Sequence, residues 1–300
     1  MRDLHNLYKK IRKVEWKVIN TIFREMWNYK YVPSDLISKR VKLNEVDTLK
    51  TLKSLGAMGV VENKVVSYFG SSLTFQGITL FSLKRLVEKG KLDMLGKKMG
   101  EGKESVVYNC YSEKYGECVL KFHKLGVSFR KIREKRDYGD LHLSVLTVRS
   151  AGREYRALKK LFGVAKVPEP FGWEGNAVLM ELVDGRELYK LRLENPSEVL
   201  DAIIEEMRRM FIAGVVHGDL SQYNVLIAED IYIIDFPQWV EVGRSGDERD
   251  EDINVNTDVN ANENWKELLE RDVENILKYF KKAYGIEKDI NSVINYVLAE

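Results

Sequence analysis

Cysteine is almost absent from this chain. Two cysteines in 300 residues exclude a disulfide scaffold and fit a reducing compartment. Cys110 and Cys118 lie eight apart on what read as neighbouring strands, so they are expected to be small buried residues and not zinc ligands. Of the four histidines, His5, His123 and His142 show no metal-ligand spacing. No apolar run approaches the ~18 residues of a membrane helix, and Met1–His5 lacks the apolar stretch of a signal peptide. The expectation is a cytoplasmic chain with no membrane partner.

What is present is a soluble composition, 44% hydrophobic and 31% charged, able to bury a sizeable core. The length leads us to expect two domains. The net charge of +2 conceals an asymmetry. Residues 1–95 hold 18 Lys and Arg against 9 Asp and Glu, a balance of +9; the remainder hold 30 against 37, a balance of −7. A basic N-terminal third points to a polyanionic partner, while a helical domain whose cations are merely solvated is the alternative.

Residues 1–90 read as helical. Leu4, Leu7, Tyr8, Ile11 and Val14 keep helical spacing, and Trp16, Ile19, Ile22, Phe23, Met26 and Trp27 continue it. The aromatic residues of this stretch are expected in the core more than as a base-stacking platform. Pro33 restarts the chain at a helix N1 position. Asn44 with Asp47 predicts a helix cap, and Gly56 and Gly59 close that helix. Val60-Val61 and Val65–Tyr68, turning at Glu62–Lys64, predict a hairpin. The pattern resembles a winged helix-turn-helix, followed by a linking helix near 79–89. From Leu95 strands are expected at 96–100, 106–111 and 118–123, a charged mobile loop at 124–138, a helix at 150–162, and strands at 171–173 and 177–182. A helix at 197–213, Val215-Val216 leading into the His217 segment, a small hairpin of strands at 224–227 and 231–234, a flexible acidic loop at 246–264 and a helix at 265–284 complete an α+β chain.

Phosphoryl transfer needs close-fitting backbone for phosphates, oxygen ligands for metal, and a carboxylate beside the acceptor oxygen. Gly100–Ser105, between two strands, has glycines that let backbone approach phosphates, and Ser105 as a donor; a plain turn is the alternative. Lys121 interrupts the apolar Val119–Phe122. It either meets an anion, with Glu154 as a candidate carboxylate, or faces water on an edge strand. Glu154 by itself also reads as a solvated helix residue. His217–Asn224 is the most specific segment, with Asp219 as candidate base and Asn224 able to reach Mg²⁺. Ile233-Ile234-Asp235 delivers a carboxylate at the end of an apolar strand, which suits a metal ligand.

These motifs, with Lys135–Tyr138, Asp235-Phe236-Pro237-Gln238 and Leu269-Glu270-Arg271-Asp272-Val273, resemble the RIO family of atypical kinases, in the branch with an N-terminal winged helix. The resemblance covers essentially the whole chain. It implies a winged-helix domain over 1–90 and a bilobal kinase-like domain over 91–300, with lobes about 91–180 and 183–300. It implies ATP and Mg²⁺, or Mn²⁺, as cofactors. Gly100, Glu104 and Ser105 would lie in the phosphate loop, Lys121 on the α/β-phosphates with Glu154, and Met180, Glu181 and Leu182 in a hinge for adenine. Asp219 would be the catalytic aspartate, Asn224 and Asp235 the metal ligands, and Asp235 also a phosphate acceptor. Ser128 would be an autophosphorylation site.

The resemblance further implies an atypical serine kinase or ATPase acting in small ribosomal subunit maturation, with rRNA or a pre-ribosomal particle as partner. An ATP-sensing nucleic-acid-binding regulator and a small-molecule phosphotransferase are the alternatives. Gly218 stands where protein kinases carry an arginine that pairs with a phosphorylated loop, and Pro237 where they carry a glycine. No Ala-Pro-Glu follows, so an ordinary peptide groove is not expected.

Overall fold

The computed structural model describes residues 4–124, 142–236, 238–242 and 265–299. The expected loops at 124–138 and 246–264 therefore fall, but for Lys124, outside the described residues, and Ser128 and Pro237 with them. The chain forms two compact units, residues 1–152 with 172–179, and residues 153–171 with 180–300.

The first unit opens with α1 (Leu4–Lys10) and α2 (Lys13–Glu25). The sequence periodicity runs through residues 11 and 12, but the structure breaks there. Glu15 accepts bonds from the Arg12 backbone N–H (2.8 Å) and from its guanidinium (2.9 Å). This capping bond starts a new helix at residue 13. Then come β1 (Val32–Pro33), α3 (Ser34–Val41) and α4 (Glu45–Ala57). Pro33 is the cap of α3, one residue before the expected N1 position. Asn44 Oδ1 accepts from Asp47 N at 2.8 Å, the expected cap of α4.

The hairpin is β2 (Val61–Val65) and β3 (Phe69–Leu73), with β1 on the other side of β3. Its turn lies at residues 66–68, not at 62–64. Glu62, Asn63 and Lys64 are paired strand residues opposite Ser72, Ser71 and Gly70. Asn63 is held by Leu52 O and by the Ser71 hydroxyl, long-range bonds that override a local turn signal. Helix α5 (Phe75–Glu88) begins earlier than expected because Thr74 caps it through Gly77 N at 3.1 Å.

The first unit's core runs from Val18, Ile22, Leu52 and Leu55 to Val145 and Val148, with Tyr8, Trp16, Phe23 and Trp27 packed against it. These four aromatics thus pack against the core, while Tyr29 is exposed. A five-stranded sheet follows in the order β4-β5-β6-β8-β7, with β4 (Met94–Glu101), β5 (Ser105–Ser112), β6 (Gly116–His123), β7 (Pro170–Glu174) and β8 (Ala177–Glu181). Cys110 and Cys118 face each other across β5 and β6, both buried as free thiols. Burial pushes both thiols up, away from reactivity. Asn176, fully buried, donates to His123 O (2.9 Å) and accepts from Ser82 Oγ (2.9 Å), tying α5 to the sheet.

Helix α6 (Leu143–Leu161) starts seven residues before the expected 150. In the second unit a three-stranded sheet has the order β12-β11-β9, with β9 (Arg186–Glu187), β11 (Val225–Ile227) and β12 (Ile231–Ile233). Helix α7 (Pro196–Ile212) packs with α8 (Trp265–Tyr284) and with α9 (Ile290–Leu298), which the sequence reading did not include. Strands β10 (Val215–Val216) and β13 (Val240–Glu241) pair antiparallel. Among the described residues no helix is long and apolar enough to cross a membrane.

Candidate phosphoryl-transfer site

In the first unit, Gly100, Glu104 and Ser105 form a hairpin on β4 and β5. Gly102 N donates to Ser105 O (2.9 Å), and Lys124 N to Glu104 O (2.8 Å). A Cβ built at Gly100 meets nothing within 4 Å. The chain's own packing therefore does not require glycine there, and the missing side chain leaves bare, exposed backbone. Two register shifts in β4, between Leu95 and Lys98 and between Lys98 and Gly100, bend the strand before this turn. Glu101 bonds Lys124 (2.8 Å) and Lys98 (2.9 Å), which hold its carboxyl down at about 2.

Lys121 lies on β6 opposite Val107, between the buried Leu120 and Phe122. β6 is the central strand of its sheet and Lys121 is only 7% exposed. The edge-strand alternative is therefore overturned, and a buried ammonium requires counter-charge. Glu154, on α6, is 1% exposed, so the reading of a solvated helix carboxylate is overturned too. Met180 is buried, Glu181 and Leu182 are half-buried, and the division between units falls just before Met180. The Glu181 N–H already donates to Glu169 O at 2.9 Å, which removes it as a donor for an incoming base.

The second unit brings Asp219, Asn224 and Asp235 into one small neighbourhood. The loop 217–224 connects β10 to β11, and Asp235 follows β12. Ile234 N donates to Asn224 O at 3.0 Å, joining the two segments. Asn224 Nδ2 donates to Asp219 O at 2.8 Å, which leaves its Oδ1 as the ligand atom. Asp235 is held at φ +68, one of two non-glycine residues described with positive φ. That conformation costs on the order of 1 kcal/mol or more and persists only where neighbours enforce it. Burial pushes the Asp219 carboxyl up, and the nearby Asp235 charge pushes it further, against His217 and Arg271.

The loop is held from behind by α8. Asp272, 1% exposed, accepts from Gly218 N at 2.7 Å and from Leu220 N at 2.8 Å. Arg271 donates to Gly218 O, and Asn275 Nδ2 to Leu220 O at 3.2 Å. His217 Nδ1 accepts from Asp219 N at 3.3 Å, so its Nε2 carries the proton donated to Ile234 O at 3.1 Å. The ring also packs on Phe236, 4.7 Å between centroids. Gly218 has φ +76, and a Cβ there would sit 2.7 Å from Gln238 O. The arginine of ordinary protein kinases is excluded here by backbone sterics.

The Leu269–Val273 pattern by itself assigns no role to Arg271 and Asp272. The signal was legible. Asp272 lies on the stripe of Leu269, Val273, Ile276 and Phe280, all buried, and a carboxylate on an apolar helix face requires donors. Among the described residues no group of three or more His, Cys, Asp or Glu is arranged to hold a metal ion.

Residues 106–251 match the family model described as RIO domain, and residues 8–89 that described as Rio2, N-terminal. The RIO-type serine/threonine-protein kinase Rio2 of Methanocaldococcus jannaschii is 35% identical over 290 residues, covering 91% of this chain and 99% of that protein. The serine/threonine-protein kinase rio2 of Dictyostelium discoideum is 31% identical, covering 77% of this chain but 46% of its own length. The fold matches the crystal structure of a Rio2 kinase-ADP/Mg²⁺-phosphoaspartate complex from Chaetomium thermophilum. The TM-score is 0.78 at 23% identity, over 98% of this chain and 89% of that one. The chain belongs to the RIO family of atypical serine/threonine kinases, in the Rio2 branch that joins a winged helix to the RIO domain.

Proposed function

We propose that this chain binds ATP with Mg²⁺ and moves its γ-phosphate either to a serine or, through Asp235, to water, in the maturation of the small ribosomal subunit. The observation that carries the chemical part is that Asp219, Asn224 and Asp235 are brought together in the second unit, with the Ile234 N–H donating to Asn224 O and the Asn224 amide to Asp219 O; the nearby Asp235 also helps to raise the Asp219 carboxyl. The donor set fits a hard cation. Asp235 offers a carboxylate and Asn224 an amide oxygen, and Mg²⁺ is held by one or two carboxylates with substrate phosphates completing its shell. When bound, the ion supplies positive charge at the transferring phosphoryl oxygens.

The chain's own residues do the rest. Asp219, held at its backbone by His217 and Asn224, orients the attacking oxygen and accepts its proton. Its pushed-up carboxyl suits proton acceptance better than an ordinary aspartate would. Gly100, Glu104 and Ser105 offer bare backbone and a hydroxyl to phosphate oxygens, and Lys121 a buried ammonium to the α/β-phosphates. Met180 and the backbone beyond it receive the adenine, the Glu181 N–H excepted. Ser128 is the proposed autophosphorylation site. Mn²⁺ is accommodated by the same oxygen donors. The ribosomal role and the rRNA partner rest on family membership and on the basic N-terminal third, and a cytoplasmic location accompanies them.

Single-turnover reaction with γ-labelled ATP, followed by mass spectrometry, tests the chemistry. Label on Asp235, or on Ser128, is the expected outcome. ATP bound and released intact, with no label on protein or water, contradicts the reading.

A further inference from the structure

We infer that the N-terminal domain meets double-helical RNA through the elbow between α1 and α2, and not through α4, the second helix of its helix-turn-helix. This rests on the reading of that domain as nucleic-acid-binding and gives it a location. The elbow carries Lys9, Lys10, Arg12, Lys13 and Lys17, all exposed. Between Leu4 and Arg24 the single carboxylate is Glu15. Its side chain is 2% exposed and spent on Arg12, on the Arg12 backbone and on Ser54 Oγ. Among the described residues Lys9, Lys10, Lys13 and Lys17 form no ion pair.

The helix-turn-helix face is different. Lys39 pairs with Asp35 at 3.8 Å, Arg40 with Glu25 at 3.2 Å and Lys50 with Asp47 at 4.0 Å. Among the described residues Lys42 and Lys53 form no such pair. The first turn of α4 exposes Glu45 and Asp47. A helix entering a major groove leads with its N-terminal residues between two walls of phosphate, and two carboxylates there repel them.

The elbow's chemistry is that of phosphate contact without base reading. Ile11, 6% exposed, fixes the bend from inside. Lys9 and Lys10 end α1, while Lys13 and Lys17 lie one turn apart on α2. Such a cluster grips backbone and inserts no element into a groove. That suits A-form RNA, whose major groove side chains cannot read and which proteins contact through phosphates and 2′-hydroxyls.

The test uses the full chain and a ~20-base-pair RNA duplex, with a DNA duplex of matching sequence beside it. The combined variant K9Q/K10Q/K13Q/K17Q is expected to bind RNA about 100-fold more weakly at low salt and to flatten the salt dependence by three to four phosphate contacts. The variant K50Q/K53Q is expected to stay within about 2-fold of the unaltered chain. Thermal melting of both, at exposed positions, verifies folding. An equal or larger loss in K50Q/K53Q overturns the elbow assignment. DNA bound as tightly as RNA overturns the choice of RNA. An unaltered chain that binds neither duplex overturns the nucleic-acid reading of the domain itself.

Discussion

The two halves of the chemical machinery are built in opposite ways. The loop 217–224 is over-determined, with Asp272, Arg271, Asn275 and His217 fixing its backbone and Gly218 closed against Gln238 O. The hairpin 100–105 is largely exposed, its turn closed by the Gly102 N–H to Ser105 O bond, and at Gly100 the space a side chain would enter is open. Catalytic groups gain most from being aimed before substrate arrives, because no reorganisation is then needed during reaction. A phosphate-covering loop gains from being able to close on its ligand.

The largest expected effect comes at the metal end of the rigid half. Asp235→Asn removes a charged ligand and should abolish ATP turnover, a loss of about 1000-fold or more; turnover near the original rate would refute the assignment. The same variant tests the electrostatics. Asp235 raises the Asp219 carboxyl, so its neutralisation should move Asp219 down toward the ordinary 3.8. Carbon NMR titration of the metal-free protein reads that shift directly, and an unmoved Asp219 would separate the two groups.

Next is the clamp. Asp272→Ala leaves the Gly218 and Leu220 N–H groups buried without acceptor. At about 1–3 kcal/mol each, the variant should lose about 2–6 kcal/mol in denaturant unfolding, and kcat should fall more than KM for ATP rises. Loss of stability with kcat preserved would make Asp272 a purely structural residue. Its own carboxyl is pushed up by burial. A folded-state value above the unfolded one means that its ionisation costs stability as pH rises from the unfolded value through the folded one. His217, Arg271 and the two N–H donors offset only part of that cost.

The smallest effects sharpen the contrast most. Gly218→Ala places a Cβ against Gln238 O at positive φ and should cost about 1–3 kcal/mol. Gly100→Ala, with open space around it, should change stability by less than about 0.5 kcal/mol and act only on KM for ATP. Equal destabilisation by the two, measured in the same denaturant series, would erase the distinction.

The sequence carried the local part of this structure. Trp265–Tyr284 is the helix its periodicity predicts, and the Asn44–Asp47 cap sits where the residue types put it. Asp219, Asn224 and Asp235 were legible because their spacing and apolar flanks are local. Long-range features were not. The wing turn moved because Asn63 bonds Leu52 and Ser71, and the break at Arg12 came from a bond to Glu15 that an apolar pattern does not register. Helix α9 escaped because only Val293 and Val297 of its nine residues are buried. The closure at Gly218 depends on Gln238, which no local pattern connects to it.

Amide hydrogen exchange at Gly218 and Leu220, compared with Gly100–Ser105, tests the central claim most directly. The account predicts that the two loop amides are protected in the free protein and unchanged by Mg²⁺ with a non-hydrolysable ATP analogue, while the hairpin amides gain protection only with nucleotide. Fast exchange at Gly218 and Leu220 in the free protein, slowed only by nucleotide, would contradict it.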